Sequence, residues 1–344
     1  MKYILNRLPE KTTNNFKVND LVIDLDLSQI TNKNDFNIVG SDKLIIEKKF
    51  SNKKINSRIG LQLSDYFEVN ITIPKNVNID NSVLIEYDFL DSDFLVDRIN
   101  FIYEEESSCN FIVTYKSCDK SMCTHHLFES VKSCENSTGN ITFINLMNDK
   151  SINLMAIEND VFSNSSITHN ILDIGGNVRI YNVYSNVFEN GKNYLNNIYL
   201  GNNDNLIDMN YYLNNNGINS SNIMRVEGVL DGSAKKVFRG TIDFIEGCTN
   251  SIGDENENCI LLSNKCISRS LPQMLCHEES VVGSHGVSSG RIDEDKLFYI
   301  MTHGYSKRAA EKLIVMAKFN EIIKNISDSK VIDEVQNIIE EKLS

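Results

Sequence analysis

The chain has 344 residues, a formal net charge of −13 at pH 7 and a pI near 5.0. This acidic balance argues against a nucleic-acid partner, because nucleic-acid binding relies on clustered lysine and arginine. No apolar run approaches the roughly 20 residues that a membrane-spanning helix needs, and the opening stretch MKYILNRLPEKTTNN lacks the apolar core of a signal peptide. We therefore expect a cytoplasmic protein with no membrane partner.

The first predicted unit is an N-terminal segment, residues 1–60. It is rich in lysine and asparagine, and its apolar residues follow neither a clear helical nor a clear strand period. We interpret it as a small segment that packs on the first coil of the domain that follows.

Short alternating runs, such as GLQLSDYFEVNITIP, NFIVTYKSC and GNVRIYNVYSNVF, fill the second unit, residues 61–290. Between 140 and 240 the strand starts recur roughly every 11–15 residues, with no helical pattern between them. Even spacing favours a solenoid, a β-helix, over the meander, sandwich or barrel that stay open as alternatives. Abundant asparagine fits stacked turns, because asparagine tolerates left-handed backbone and can form ladders. Only two Asn-Gly pairs, at 190–191 and 216–217, resemble hairpin turns.

The pattern becomes helical in the third unit, residues 291–344. IDEDKLFYIMTHG places Leu297 and Phe298 on one apolar face and ends at Gly304, a good helix stop. Ser306 is a suitable N-cap for KRAAEKLIVMAKFNEIIKNI, and VIDEVQNIIEEKLS forms a third helical stretch. These helices either cap the open edge of the last coil or dock a partner; we favour capping.

The sequence carries no motif of a self-sufficient enzyme. GxxxxGK[ST], GxSxG, HExxH and GxGxxG are all missing, so nucleotide hydrolysis by a P-loop is excluded. The acidic residues are scattered, without the paired carboxylates of a glycosidase. We expect a protein that is not itself an enzyme.

Two stretches combine thiols with imidazoles. CDKSMCTHH, residues 118–126, does not have zinc-finger spacing, so a single reactive thiol is at least as good a reading as a metal site. In CILLSNKCISRSLPQMLCHEESVVGSHG, residues 259–286, adjacent strands could bring several of these side chains together. All eight cysteines are expected to be mostly reduced, and burial as small apolar residues is the simplest role for most of them: positions 109, 118, 123, 134, 248, 259, 266 and 276.

RGTIDFIEG, CILLSNKCISRSLPQM and VVGSHGVSSGRIDEDKLFYIMTHGYSKRAAEKLIV resemble the SufB/SufD family of iron–sulfur cluster assembly proteins, most clearly from Phe238 to about Ile323. The resemblance implies a right-handed parallel β-helix with a C-terminal helical segment. It also implies a separate SufC-like ABC ATPase, a sulfur donor protein, and a homodimer or a heterodimer with another SufB/SufD-type subunit. A transient iron–sulfur cluster is the implied cargo.

The resemblance also suggests roles for individual residues. Cys266 and His285 match candidate cluster ligands at the dimer interface, and Cys118 lies roughly where SufB has its sulfur-accepting cysteine. Gly286 stands where SufB has a glutamate, and Gly283 stands where SufD often has a cysteine. Cys276 and His277 match no family role.

The helix that begins at Ile292 corresponds to the region where the ATPase docks in the family. Leu297, Phe298 and Tyr299 are therefore expected, with Ile292, to contact that partner. Two functions remain open from the sequence: a SufB-like scaffold that holds the cluster, and a SufD-like structural subunit that binds SufC and a SufB-like chain without holding one.

Overall fold

The computed structural model describes residues 1–12, 14–26, 36–40, 42–90, 93–117 and 121–343. Within these ranges the elements are, in chain order, β1 (Lys2–Leu5), a 3-10 turn (Asn14–Phe16), β2 (Leu21–Asp24), β3 (Phe36–Val39), β4 (Ile45–Ser51), β5 (Ile55–Asn56), β6 (Gln62–Leu63), β7 (Tyr66–Ile73), β8 (Val83–Phe89), β9 (Phe94–Tyr103), β10 (Ser108–Ser117), β11 (Thr124–Ser133), β12 (Thr138–Leu146), β13 (Ile152–Val161), β14 (Ser166–Asp173), β15 (Val178–Val187), β16 (Lys192–Gly201), β17 (Leu206–Asn215), β18 (Ser221–Leu230), β19 (Lys235–Phe244), β20 (Ile252–Leu261), β21 (Ile267–Cys276), β22 (Val282–Gly290), α1 (Glu294–Thr302), α2 (Lys307–Ile323) and α3 (Ser329–Lys342).

Two nine-stranded sheets face each other along most of the chain. From β7 to β22, each strand pairs in parallel with the strand two positions further on, so two strands and two turns make one coil. Successive coils are 26 to 32 residues apart in register. Antiparallel strands β3 and β4 continue the two sheets at the first coil. The predicted parallel β-helix is confirmed, and the sandwich, meander and barrel alternatives are wrong.

Asparagine supplies the turns at one corner of the coils. Glu106 and six asparagines have φ between 55° and 60°, and they stack from coil to coil: Asn76, Asn136, Asn164, Asn190, Asn219 and Asn250. The backbone N–H of Asn136 donates to the Ser163 carbonyl of the next coil at 3.1 Å. Asparagine side chains also form ladders, such as Asn170 Nδ2 donating to Asn140 Oδ1 at 2.8 Å. The left-handed turns and ladders expected from the composition are both present.

The helices lie against the outer face of the sheet formed by the even-numbered strands, from β10 to β18, and not over the last coil. Val315 and Phe319 of α2 and Ile339 of α3 share one buried apolar cluster with outward side chains of the sheet, among them Ile144 and Ile198. Ser306 caps α2 as predicted, accepting from Ala309 N. The preferred capping role is therefore wrong. The apolar faces of α2 and α3 are buried against the apolar outer face of this sheet. Such a face offers more apolar surface to remove from water than the edge of a strand does.

The N-terminal segment covers the outer face of the other sheet and reaches well beyond the first coil. Asn6 Nδ2 donates to Asp208 Oδ1 at 2.7 Å, and Asp208 in turn binds Arg239 Nη1 at 2.7 Å. Arg239 Nε also donates to the carbonyl of Val18. The sequence predicted that this segment packs on the first coil, whereas it also contacts later coils as far as β19. No helix in the described ranges has the length and apolarity to cross a membrane.

Candidate functional site

The last coil, formed by β21, β22 and the turn between them, leaves one end of the β-helix open. Within the described residues, no strand pairs with the outer edge of either β21 or β22. Val282 is 65% exposed, and most of β22 is open to solvent. This end presents free backbone groups that can accept another strand.

His285 lies on β22 and is exposed. Its register partner on β20 is Glu255, and Cys259 is the partner of Ser289. On β20 the alternate residues Gly253, Glu255, Glu257 and Cys259 are buried inside the coil. Register partners in a parallel sheet point to the same face, so His285 points inward over the mouth of the open coil.

Cys266 lies in the turn just before β21 and is half buried. Its Sγ is 3.7 Å from the carbonyl oxygen of Gly232, and its side chain packs against the interior apolar cluster. Burial raises the pKa of the Cys266 thiol above its usual value. The thiol is therefore largely protonated at neutral pH, until a metal or sulfur species takes the place of the proton.

One chain does not bring Cys266 and His285 together. Cys266 follows the end of β20, at the level of Gly290, which pairs with Ile260. His285 is five residues before Gly290, which corresponds to roughly 16 Å along the strand. Among the described residues, no group of three or more His, Cys, Asp or Glu side chains is placed to hold a metal ion.

A buried ion pair lies directly below the last coil. Lys236 Nζ binds Glu257 Oε1 at 2.6 Å and donates to Ser270 Oγ at 2.7 Å. Tyr199 donates its hydroxyl hydrogen to Glu257 Oε1 at 2.7 Å, and Ser270 donates to Oε2 at 2.8 Å. All the oxygens of Glu257 are thus used, so this pair is a closed structural unit.

Glu255 is different from Glu257, although it is equally buried. Neither of its carboxyl oxygens has a hydrogen-bond partner. Burial, and to a smaller extent the charge of Glu257, raise the pKa of Glu255 to about 8. Gly240 leaves room for the carboxyl group, since a Cβ at that position would be 1.9 Å from Glu255 Oε1. Nothing in the sequence marks this residue; its importance follows from the register alone.

Cys118 lies outside the described residues, but the histidines that follow it are described. His125 points into the coil, where Nε2 is 2.8 Å from Asp97 Oδ1 and Nδ1 is 3.1 Å from Asn153 Oδ1. His126 points outward beneath the N-terminal segment, and neither of its ring nitrogens has a partner. The two imidazoles are on opposite faces of β11, so they cannot share one metal ion.

The network around His125 continues along the interior and was missed by sequence reasoning. Asn153 Nδ2 donates to the Tyr181 hydroxyl oxygen at 3.1 Å, and Tyr181 donates to Asp173 Oδ1 at 2.6 Å. His125 and Asn153 are register partners, 28 residues apart in sequence. The 28-residue spacing could have predicted this contact, but only if the length of the coil had been known.

The four residues expected to contact the ATPase differ in their exposure to solvent. Phe298 and Tyr299 are 68% and 66% exposed on α1. Ile292 and Leu297 are half buried and line a cavity of about 250 Å³ with Leu261 and other residues of the turn before Cys266. Of these four residues, Phe298 and Tyr299 are therefore the two whose side chains are freely available to a partner.

Cys276 and His277 lie at the end of β21 and are both exposed. His277 Nε2 is 3.7 Å from Asp243 Oδ1, and no third ligand joins them within the described chain. The seven cysteines in the described ranges form no disulfide with one another.

The described residues thus form a two-sheet parallel β-helix with an unpaired last coil and a helical segment on its flank. The model of the family "SUF system FeS cluster assembly, SufBD core domain" matches residues 89–318, which is more than half of the chain. The chain belongs to this SufBD family, as the resemblance predicted.

Several curated relatives carry the same assignment. The chain is 27% identical over 116 residues to the iron-sulfur cluster assembly protein SufD of Bacillus subtilis, covering 34% of this chain and 26% of the relative. It is 24% identical over 115 residues to SufD of Escherichia coli, covering 33% and 27%. A SufBD family protein of Pyrococcus horikoshii is 29% identical over 154 residues, covering 45% and 34%. The matches thus span about a quarter to a third of the relatives' own lengths.

Proposed function

We propose that this chain is a scaffold component of a SUF-type complex, which assembles a nascent iron–sulfur cluster at the open end of the β-helix. The observation that carries the proposal is the position of His285. It is an exposed imidazole on the inner face of an unpaired last coil, in a chain of the SufBD family.

A second chain is needed to complete the cluster site. Cys266 and His285 are roughly 16 Å apart along one coil, and the described residues offer no larger ligand group. Pairing of two open ends, in a homodimer or with another SufB/SufD-type subunit, would add ligands from both chains. Thiolate and imidazole are suitable ligands for such a cluster. Few and exposed ligands make the cluster labile, and a scaffold must release its cargo.

The remaining partners follow from what the chain lacks. It has no P-loop, so ATP hydrolysis falls to a SufC-like ABC ATPase that docks on α1 through Phe298 and Tyr299. A sulfur donor protein delivers sulfur, with Cys118 as the accepting thiol. The chain itself is then not an enzyme. We place the chain in a reducing compartment, the cytoplasm, in keeping with seven described cysteines that form no disulfide with one another.

A second function, a SufD-like structural subunit without a cluster, has its own support. Two of the relatives are named SufD, and Gly286 stands where SufB has a glutamate. The chain would then contribute its open end and its helices to a complex, and a SufB-like chain would hold the cluster.

Anaerobic reconstitution of the purified chain with iron and sulfide tests the scaffold proposal. We expect cluster absorption in the wild type and its loss in the Cys266→Ala, His285→Ala double variant. His277→Ala, another exposed histidine near the same end, is the matched control and should behave like the wild type. Unchanged absorption in the double variant would refute these ligands, and a wild type that forms no cluster would favour the SufD-like function.

A further inference from the structure

The carboxyl group of Glu255 is buried without any compensating contact. The residue has no exposed surface, and both of its oxygens lack a hydrogen-bond partner. Native proteins pair almost all buried polar side-chain atoms, so such an exception calls for a functional explanation. Neighbouring Glu257 shows that the same strand can satisfy a buried carboxylate fully when its role is structural.

Glu255 lies directly beneath His285. The two are register partners on β20 and β22, so their Cα atoms are about 4.8 Å apart and their side chains share the inner face. At this separation, a carboxylate oxygen and an imidazole nitrogen can both lie about 2 Å from one metal ion. His285 is exposed to solvent at the open end, whereas Glu255 is buried one strand below it.

We propose that Glu255 and His285 form a binding site for a divalent transition-metal ion, ferrous iron in the assembly reaction. The inference rests on the proposed function, and it assigns two residues that bind the iron used in assembly. On binding, the carboxyl group loses its proton to solvent, and water completes the coordination shell. Carboxylate and imidazole are ligands suited to Fe²⁺.

The site is weak by construction, which fits a delivery role. One chain supplies two ligands, in agreement with the absence of any group of three or more in the described residues. Gly240 leaves the space that the Glu255 carboxyl group occupies, since a Cβ at position 240 would be 1.9 Å from Glu255 Oε1. Glu257 is not available as a ligand, because Lys236, Tyr199 and Ser270 occupy its oxygens.

Titration of the full chain with Co²⁺ alone tests the site, with visible absorption and calorimetry as readouts and no sulfide present. We expect one ion per chain in the wild type. Glu255→Gln keeps the shape of the side chain and breaks no hydrogen bond, so it should fold and yet bind Co²⁺ at least about tenfold more weakly. His285→Ala should show a similar loss. Glu227→Gln, a nearly buried glutamate on the outer face of β18, is the matched control and should bind like the wild type.

The outcomes separate this inference from the function on which it rests. Wild-type affinity in Glu255→Gln, with weaker binding in His285→Ala, would overturn the Glu255 assignment and leave the cluster site at His285 intact. A wild-type chain that does not bind Co²⁺ would also overturn the inference, whereas cluster formation from iron and sulfide would still support the scaffold. Loss of cluster formation in the Cys266→Ala, His285→Ala variant bears only on the proposed function.

Discussion

Single residues in this protein acquire their roles from the face of the strand on which they lie. His125 and His126 are adjacent in sequence, yet one is hydrogen-bonded inside the coil and the other is buried under the N-terminal segment. Burial, with a smaller contribution from His125, lowers the pKa of His126 to about 3. His126 is therefore neutral in the folded chain. At low pH it takes up a proton only when the chain unfolds.

This shift predicts a pH dependence of stability. The unfolded pKa is near 6.5, so the folded state is fully stabilised above pH 6.5 and loses stability as pH falls toward 3. The register partners of His126 are the apolar residues Val96 and Leu154. His126→Leu should therefore lower the slope of the unfolding free energy against pH by roughly 1 kcal/mol per pH unit. Urea unfolding at pH 4.5, 5.5 and 7.5 measures this. Parallel slopes for the variant and the wild type would show that His126 does not contribute.

Sequence reasoning identified His285 because it stands where strands give way to a helix. It could not find Glu255, since a glutamate among DENEN on β20 carries no local mark. The pairing of position 255 with position 285 depends on coil length, and coils here vary from 26 to 32 residues. Similarly, the sequence allows Cys266 and His285 to lie close together if adjacent strands carry them, whereas the register separates them along the coil.

At the level of elements, the strands and helices could be predicted from the sequence, but the surface that the helices cover could not. Strands such as NFIVTYKSC and GNITFINLMND are apolar on both faces, which is typical of strands buried on two sides. The outward positions Ile112 and Ile144 lie beneath the helices. The alternating pattern alone does not show which outer face is covered, and from the sequence we favour the open edge of the last coil for the helices.

The structure also refines the test of ATPase docking. Deletion of residues 291–344 is predicted to abolish ATPase binding, but it would also uncover the apolar face under α2 and α3. Phe298→Ala with Tyr299→Ala removes two exposed rings and should leave the fold intact. We expect binding of a SufC-like ATPase to weaken at least about tenfold, as is usual for aromatic hot spots.

Calorimetric titration against the ATPase measures the effect. Leu313→Ala, a half-exposed apolar residue on α2, serves as the control for a general loss of apolar surface. Equal binding by the double variant and the wild type would move the docking surface away from α1.

At the level of the whole molecule, the two ends of the β-helix differ. At the first coil the two sheets end in the antiparallel strands β3 and β4, and at the last coil they end in the parallel strands β21 and β22. Within the described residues, none of these four strands has another strand on its outer edge. The even strand spacing predicted the solenoid, but no local pattern indicates which end pairs with another chain.

An open end that pairs with another chain should be sensitive to charge. A lysine at the edge disfavours strand addition, so Val282→Lys on β22 should shift a dimer toward monomer. Light scattering after size exclusion measures the mass. Val39→Lys on β3, at the opposite end and 59% exposed, is the control that should not change it. A dimer that survives Val282→Lys but is lost in Val39→Lys would place the interface at the first coil.

The central claim is that two chains share one cluster at their open ends, and its most direct measurement is the stoichiometry of the reconstituted wild type. Iron and acid-labile sulfide per chain are determined after anaerobic reconstitution and separation by size, with light scattering on the same fraction. We predict clusters only in the dimer fraction, with one cluster for two chains. A cluster held stoichiometrically by the monomer would contradict the claim, because one chain would then suffice.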